Sequence, residues 1–184
     1  MAKVVAKQPS LQVAKPIAAT LYIVLDPAKV KQAYHVSSAR RKLSLDISEF
    51  DLFVSRDLKN AMAPNFEHVE VVAPGAAFTA KYVVADVKVD NVEMKDEAIE
   101  GAVSVISTRL VLTWAFAVRP AEADDYLFSF AGSAASTDTA NGPEDFVRQV
   151  VESAISGLLQ KWGEGDVHSK LLEWSHNGNA PSAG

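Results

Sequence analysis

The run STRLVLTWAFAV, Ser107 to Val118, constrains this chain more than any other stretch. It holds neither Gly nor Pro, and its side chains sort by parity. Ile106, Thr108, Leu110, Leu112, Trp114, Phe116 and Val118 fall on one side. Ser107, Arg109, Val111, Thr113, Ala115, Ala117 and Arg119 fall on the other. A helix would scatter both sets around its circumference, whereas a strand sends alternate side chains to opposite faces, so period two identifies a strand. One strongly apolar face needs a layer to cover it. The other face, small and weakly polar, meets water or a partner.

The remaining elements supply that layer. Ala19–Leu25, ended by Asp26-Pro27, is a β-rich run, apolar on both parities, which predicts a strand central in a sheet. Ala28 to Leu45 has no clear period, although Gln32 to Val36 fits a short extra strand. Ile47, Phe50, Val54, Leu58, Ala61 and Met62 step by threes and fours and predict a helix closed by Pro64. Ser48 with Asp51 resembles a capping box, with Ser44 or Asp46 as earlier caps. His68–Val72 is a short strand. From Phe78 to Val92 the pattern alternates again, with Val83, Ala85, Val87 and Val89 opposite Asp86, Lys88 and Asp90. A charged turn, Glu93 to Gly101, leads into the opening strand. Tyr126 to Ser133 alternates with Tyr126, Phe128 and Phe130 together. Asn141-Gly142-Pro143 opens a helix whose apolar face is Val147, Val151, Ala154, Ile155, Leu158 and Trp162, ended by Gly163. A last short helix runs from Asp166 to Trp174. The expected fold is α+β: a two-layer sandwich, mainly antiparallel, with two main helices on one face. Residues 1–16 read as a flexible lead-in, 17–175 as a single α+β domain and 176–184 as a flexible tail.

The lengths do not match. Each long strand covers about 15 residues, near 50 Å, whereas the last main helix covers about 20 residues, near 30 Å. Either a bulge splits each strand, or the hairpin end projects from the body and serves as an interaction surface. The candidate partner-binding residues on the second reading are Glu93, Met94, Lys95, Asp96, Glu97, Ile99, Arg109 and Val111.

Chemical motifs are sparse. With no Cys, disulfides, thiolate metal sites and Cys nucleophiles are excluded together. The net charge of −5 works against phosphate backbones, so nucleic acid is not an expected partner, and Arg40-Arg41-Lys42 with Lys29 and Lys31 reads as a solvated loop. His35, His68, His168 and His176 accompany no Gly-flanked Ser elbow. Glu164, Asp166, His168, Glu173 and His176 show no zinc spacing. The acidic set Asp86, Asp90, Glu93, Asp96, Glu97 and Glu100 lacks calcium-loop spacing. Asp124-Asp125 is a loop pair without a catalytic neighbour. Nine glycines form neither GxGxxG nor a P-loop. No metal, cofactor or enzymatic activity is therefore expected, and no segment has the length of apolar sequence that spans a bilayer.

The layout as a whole resembles the small accessory domains of Gram-negative outer-membrane lipoproteins that assist lipopolysaccharide transport or activate penicillin-binding proteins. The matching parts are TLYIVLDP, FDLFVSRDLKNAM followed by NFEHVEVV, AKYVVADVKVD, STRLVLTWAFAV and PEDFVRQVVESAISGLLQKW, across residues 18 to 162. The resemblance implies a non-enzymatic scaffold that docks to a larger envelope protein. That family begins with a signal peptide and a lipidated Cys, which this sequence lacks. A periplasmic or outer-membrane place therefore requires a removed leader, and otherwise the place is cytoplasmic. Two other readings stay open: an apolar-ligand domain with a pocket lined by Trp114, Phe116, Tyr126 and Phe128, and a cytoplasmic subunit that self-associates through an exposed strand edge.

Overall fold

The structure, a computed structural model, describes residues 15–79, 81–99, 105–121, 123, 125–137 and 143–177. The expected lead-in over residues 1–14 and the tail from 178 onward lie outside the described residues, as do Glu100, Gly101, Asp124, Asn141 and Gly142.

The α+β architecture holds. β1 (Ile17–Val24), β4 (Phe66–Val72), β5 (Tyr82–Ile99), β6 (Val105–Pro120) and β7 (Phe128–Thr137) form one sheet in the order β4-β1-β5-β6-β7. A two-stranded sheet, β2 (Tyr34–Ser37) with β3 (Ser44–Ile47), is separate from it. Among the described residues three α-helices complete the fold: α1 (Phe50–Met62), α2 (Pro143–Glu164) and α3 (Val167–Asn177). β1 is central, as its two-sided apolar run predicts. It pairs in parallel with both β4 and β5, so the sheet is mixed, and only β5-β6-β7 form an antiparallel meander.

One face of this sheet carries the core. Leu21 and Ile23 of β1, Val83, Ala85 and Val87 of β5, and Leu110, Phe116 and Val118 of β6 are essentially buried there. Each of these Leu, Ile, Val and Phe side chains contributes roughly 1.5–3 kcal/mol by leaving water, and Ala85 less. α1 lays Phe50, Val54, Leu58 and Met62 on this face. α2 adds Val147, Val150, Val151, Leu158 and Trp162, and α3 adds Val167 and Leu171. Trp162 reaches rings on both outermost strands, Phe66 of β4 at 6.3 Å and Phe128 of β7 at 5.8 Å between centroids. A flat five-stranded sheet would hold those strands about 19 Å apart, so the sheet coils around this indole.

Several local expectations change. α1 is not capped by Ser44, Asp46 or Ser48, because Ser44 and Asp46 are paired in β3, as is Ile47. Its N-cap is Glu49 in the left-handed region at φ 55°, without a side-chain cap. The Phe50 amide instead donates to the Gln32 carbonyl at 2.7 Å, which satisfies one of the orphan donors of the first turn. α2 continues through Gly163 to Glu164, and His176 belongs to α3 rather than to a tail. Tyr126 precedes β7 and is 51% exposed; its hydroxyl donates to Asp86 Oδ2 at 2.9 Å, so it is no part of the core row of Phe128 and Phe130.

The connection from β4 to β5 crosses β1 on the opposite face. Gly75, at φ 81°, allows the turn that starts it. Phe78 then stacks on Tyr22 at 4.8 Å and on Tyr82 at 4.7 Å. That half of the second face is thereby covered, and Tyr22 and Val84 are buried. Over β6 and β7 no described element covers it.

A candidate docking face on the long hairpin

β5 and β6 run for 18 and 16 residues. The stretch from Glu93 to Ile99 is strand, not turn, and pairs residue by residue with Val105 to Val111. A bulge resolves part of the length problem. Val89 lies opposite Trp114 and Asn91 opposite Thr113, so Asp90 is the extra residue. An inserted residue reverses parity. Before the bulge the odd residues Val83, Ala85, Val87 and Val89 face the core; after it the even residues Val92 and Met94 do.

The parity change divides the residues expected at the docking site. Met94 packs against the core, and Asp96 turns to the same side. There the β2–β3 sheet covers the hairpin with Val36, Leu45 and Ile47. Asp96 fastens it. The Ser38 hydroxyl lies 2.7 and 2.6 Å from its two carboxylate oxygens, Thr108 Oγ1 donates at 2.9 Å and the Arg40 amide at 2.8 Å. These donors, Ser38 first, hold the Asp96 carboxyl below its ordinary pKa. The end of the hairpin therefore does not project bare on the helix side.

Glu93, Lys95, Glu97, Arg109 and Val111 share the opposite face, where they form a charge ladder. Lys95 Nζ meets Glu93 Oε1 at 2.7 Å, and Arg109 Nη1 meets Glu97 Oε2 at 3.0 Å. The hydrogen bond from Lys95 lowers the Glu93 pKa. Ile99 pairs with Val105 at the end of the ladder. Toward the sheet centre the same face continues as Thr113, Ala115 and Ala117 of β6, beside Ser129, Ala131, Ser133 and Ala135 of β7. Its side chains on β6 and β7 are small there.

A polar groove of about 310 Å³ opens at the bulge, lined by Lys29, Lys31, Tyr34, His35, Asp90 and Asn91 among others. It forms because β1 stops pairing with β5 at Asp86, after which the Lys29 carbonyl accepts from the Val89 amide at 3.0 Å. Burial raises the Tyr34 pKa. Its walls come from the unassigned Ala28–Leu45 stretch, whose four-residue strands are too short to show a period. Arg40, Arg41 and Lys42 stand exposed at the β2–β3 turn.

Among the described residues, Trp114, Phe116, Tyr126 and Phe128 do not converge on a common pocket. Phe116 is wholly buried, Trp114 packs edge-on against Phe130 and Phe128 against Trp162. The apolar space between α1, α2 and the sheet is about 20 Å³, room for about one water. Among the described residues no group of three His, Asp or Glu side chains is placed to hold a metal ion. His35 pairs with Asp46, His168 Nε2 meets the Lys15 carbonyl and His176 Nδ1 the Leu172 carbonyl. No helix among the described residues is long and apolar enough to cross a membrane.

No family model matches this chain, and no curated protein matches it. Solved structures do. A Helicobacter pylori protein described as a neuraminyllactose-binding hemagglutinin homolog is 9% identical with a TM-score of 0.50, covering 91% of this chain and 97% of its own. A Xanthomonas campestris protein of the family model DUF330 is 10% identical, TM-score 0.45, over 88% of this chain and 87% of its own. A minor lipoprotein from Acinetobacter baumannii is 10% identical, TM-score 0.42, over 79% of this chain and 93% of its own. What this chain has in common with the Helicobacter pylori protein is its fold.

Proposed function

We propose that this protein works by docking: a non-enzymatic accessory module that engages a larger protein of the cell envelope. The observation that carries this reading is the one-sided cover of β5-β6-β7. Helices and the β2–β3 sheet close the core side, while the other side stays open and flat and ends in the Glu93/Lys95/Glu97/Arg109 ladder. Side chains paired within β5 and across β5 and β6 present both signs of charge at low cost, and rim charges set partner choice and association rate more than affinity. The envelope setting, and a role like that of lipopolysaccharide-transport accessories or penicillin-binding-protein activators, come from the sequence resemblance.

A photo-crosslinking amino acid at Ser133, on the open face, tests this in the source cell against the same probe at the exposed Leu52 of α1. The expected result is one envelope-protein adduct from position 133 and none from 52. That adduct is lost when Lys95→Glu and Arg109→Glu are added. Both ion pairs are solvent-facing and worth about 0–1 kcal/mol each, so Tm changes by no more than a few degrees. Equal adducts from both positions, or an adduct indifferent to the reversal, would sink the proposal.

A further inference from the structure

β7 and β4 are the two outermost strands of the sheet. An outermost strand offers unpaired N–H and C=O groups to any other strand, and proteins guard such edges with charge or Pro. β4 is guarded: Glu67, His68 and Glu70 stand exposed along it. β7 is not. FSFAGSAAST has ten residues without a charge or a Pro, and among the described residues no strand pairs with its outer edge.

The helix above it has the same character. The Phe130 ring lies under Gly157, and the Ser136 hydroxyl donates to the Phe146 carbonyl at 2.9 Å, which fixes α2 over β7. Val151 and Ile155 turn toward α1, lining the small space they share with Val54 and Leu58. The other flank therefore overhangs the rim of β7. At helical spacing that flank carries Gln149, Ser153, Ser156 and Gln160, without charge until the last turn, where Glu164 bonds Gln160 and Lys161. The ions of the helix's first turns, Asp145, Arg148 and Glu152, pair with one another.

We propose that this rim is a homodimer interface: β7 pairs antiparallel with β7 of a second copy, extending the sheet across a two-fold axis, and the two α2 flanks meet above. A two-fold contact sets residue i against j and j against i, so a charge near the axis, at the middle of the patch, would meet its own kind. Both layers are without charge along their middle, β7 throughout and the α2 flank from Gln149 to Gln160, as such a contact requires; a foreign strand imposes no such restriction. The size also fits. Ten strand residues extend about 34 Å and α2 about 33 Å. A rim two layers deep, about 20 Å, gives about 680 Å² per copy, near the ~800 Å² of a standard stable interface.

Sedimentation of the full chain from about 1 to 500 μM is the test. The expected result is a mass that rises to two copies. Ser133→Lys with Ser153→Lys, both exposed in one copy, weakens association at least about tenfold by like-charge opposition. Glu70→Lys on the far edge leaves it unchanged. Should the double variant misfold, hydrogen exchange of the wild type decides, because alternate β7 amides gain protection as concentration rises. A monomer throughout, a dimer indifferent to the β7 lysines, or β7 protection independent of concentration overturns the proposal.

Discussion

Trp162 offers the sharpest test of how this fold is held. It is 1% exposed, near the end of α2, and touches Phe66 and Phe128 on the two outermost strands. Its indole Nε1 is buried without an acceptor among the described residues. These two facts pull in opposite directions. Trp162→Ala removes the hub and should cost about 3–5 kcal/mol. Trp162→Phe keeps most of the ring. It forgoes roughly 40 Å² of apolar burial, about 1 kcal/mol at 25 cal/mol per Å², and leaves a small void that costs about 1 kcal/mol more. It also removes a buried unpaired donor, whose burial costs about 1–3 kcal/mol. The net change for Phe should therefore lie within about 1 kcal/mol of zero, several kcal/mol above Ala. Urea unfolding followed by far-ultraviolet circular dichroism measures both without relying on indole fluorescence. A Phe variant destabilised as much as the Ala variant would show that the donor is satisfied and that the reasoning fails.

The other tests are smaller. The Asp96 carboxyl is held below its ordinary pKa in the folded state, so it contributes stability above the unfolded value, near 3.9, and loses it as pH falls through the folded value. The Tm gap between wild type and Asp96→Asn should be steady above about pH 5 and close below about pH 4; a gap that persists into acid refutes the latch. Tyr126 titrates above its ordinary value because its hydroxyl donates to Asp86. In Asp86→Asn the ultraviolet phenolate titration should move to lower pH, and an unmoved curve would deny the bond. A Cβ at Gly132 would lie 2.7 Å from Phe130 Cζ. Gly132→Ala must therefore push that ring off Trp114 and lower stability by about 1–3 kcal/mol in thermal melts.

Sequence periodicity carried most of the architecture, and its failures have physical causes. β6 is legible because its alternation is unbroken from Ile106 to Arg119, and one face is buried along nearly its whole length. α1 is legible from the steps Phe50, Val54, Leu58 and Met62. β2 overlaps the short strand expected over Gln32 to Val36, but β3 is not legible, since four residues give two inward side chains and no period. The bulge leaves a trace, because the apolar positions run odd to Val89 and even from Val92. An acidic residue on the inward parity, Asp96, hides the trace: charge in that position reads as turn. What makes it a strand residue is the donor set of Ser38, Arg40 and Thr108, which comes from distant sequence. Of the expected docking residues, the structure keeps Glu93, Lys95, Glu97, Arg109 and Val111 on one face and takes Met94 and Asp96 to the other.

That split separates a packed side from a solvent-facing side on the same two strands, and the separation can be read out along β5. Beyond Val84, which is buried on the second face, side chains alternate between a closed face and an open one, so a run of single Ala substitutions should give an alternating record. Val83, Val87 and Val89 should cost about 0.5–3 kcal/mol when truncated, and Lys88 about 0–0.5. At Asp90 the phase must slip by one. Beyond it Val92 and Met94 should carry the cost, and Glu93, Lys95 and Glu97, which the docking proposal assigns to partner capture, should be nearly neutral to folding. Thermal melts of the series locate the slip without any partner. An odd phase that continues unbroken through residue 97 would mean that β5 has no bulge. Glu93, Lys95 and Glu97 would then face the core, and the open face would lose the charges on which the docking reading depends.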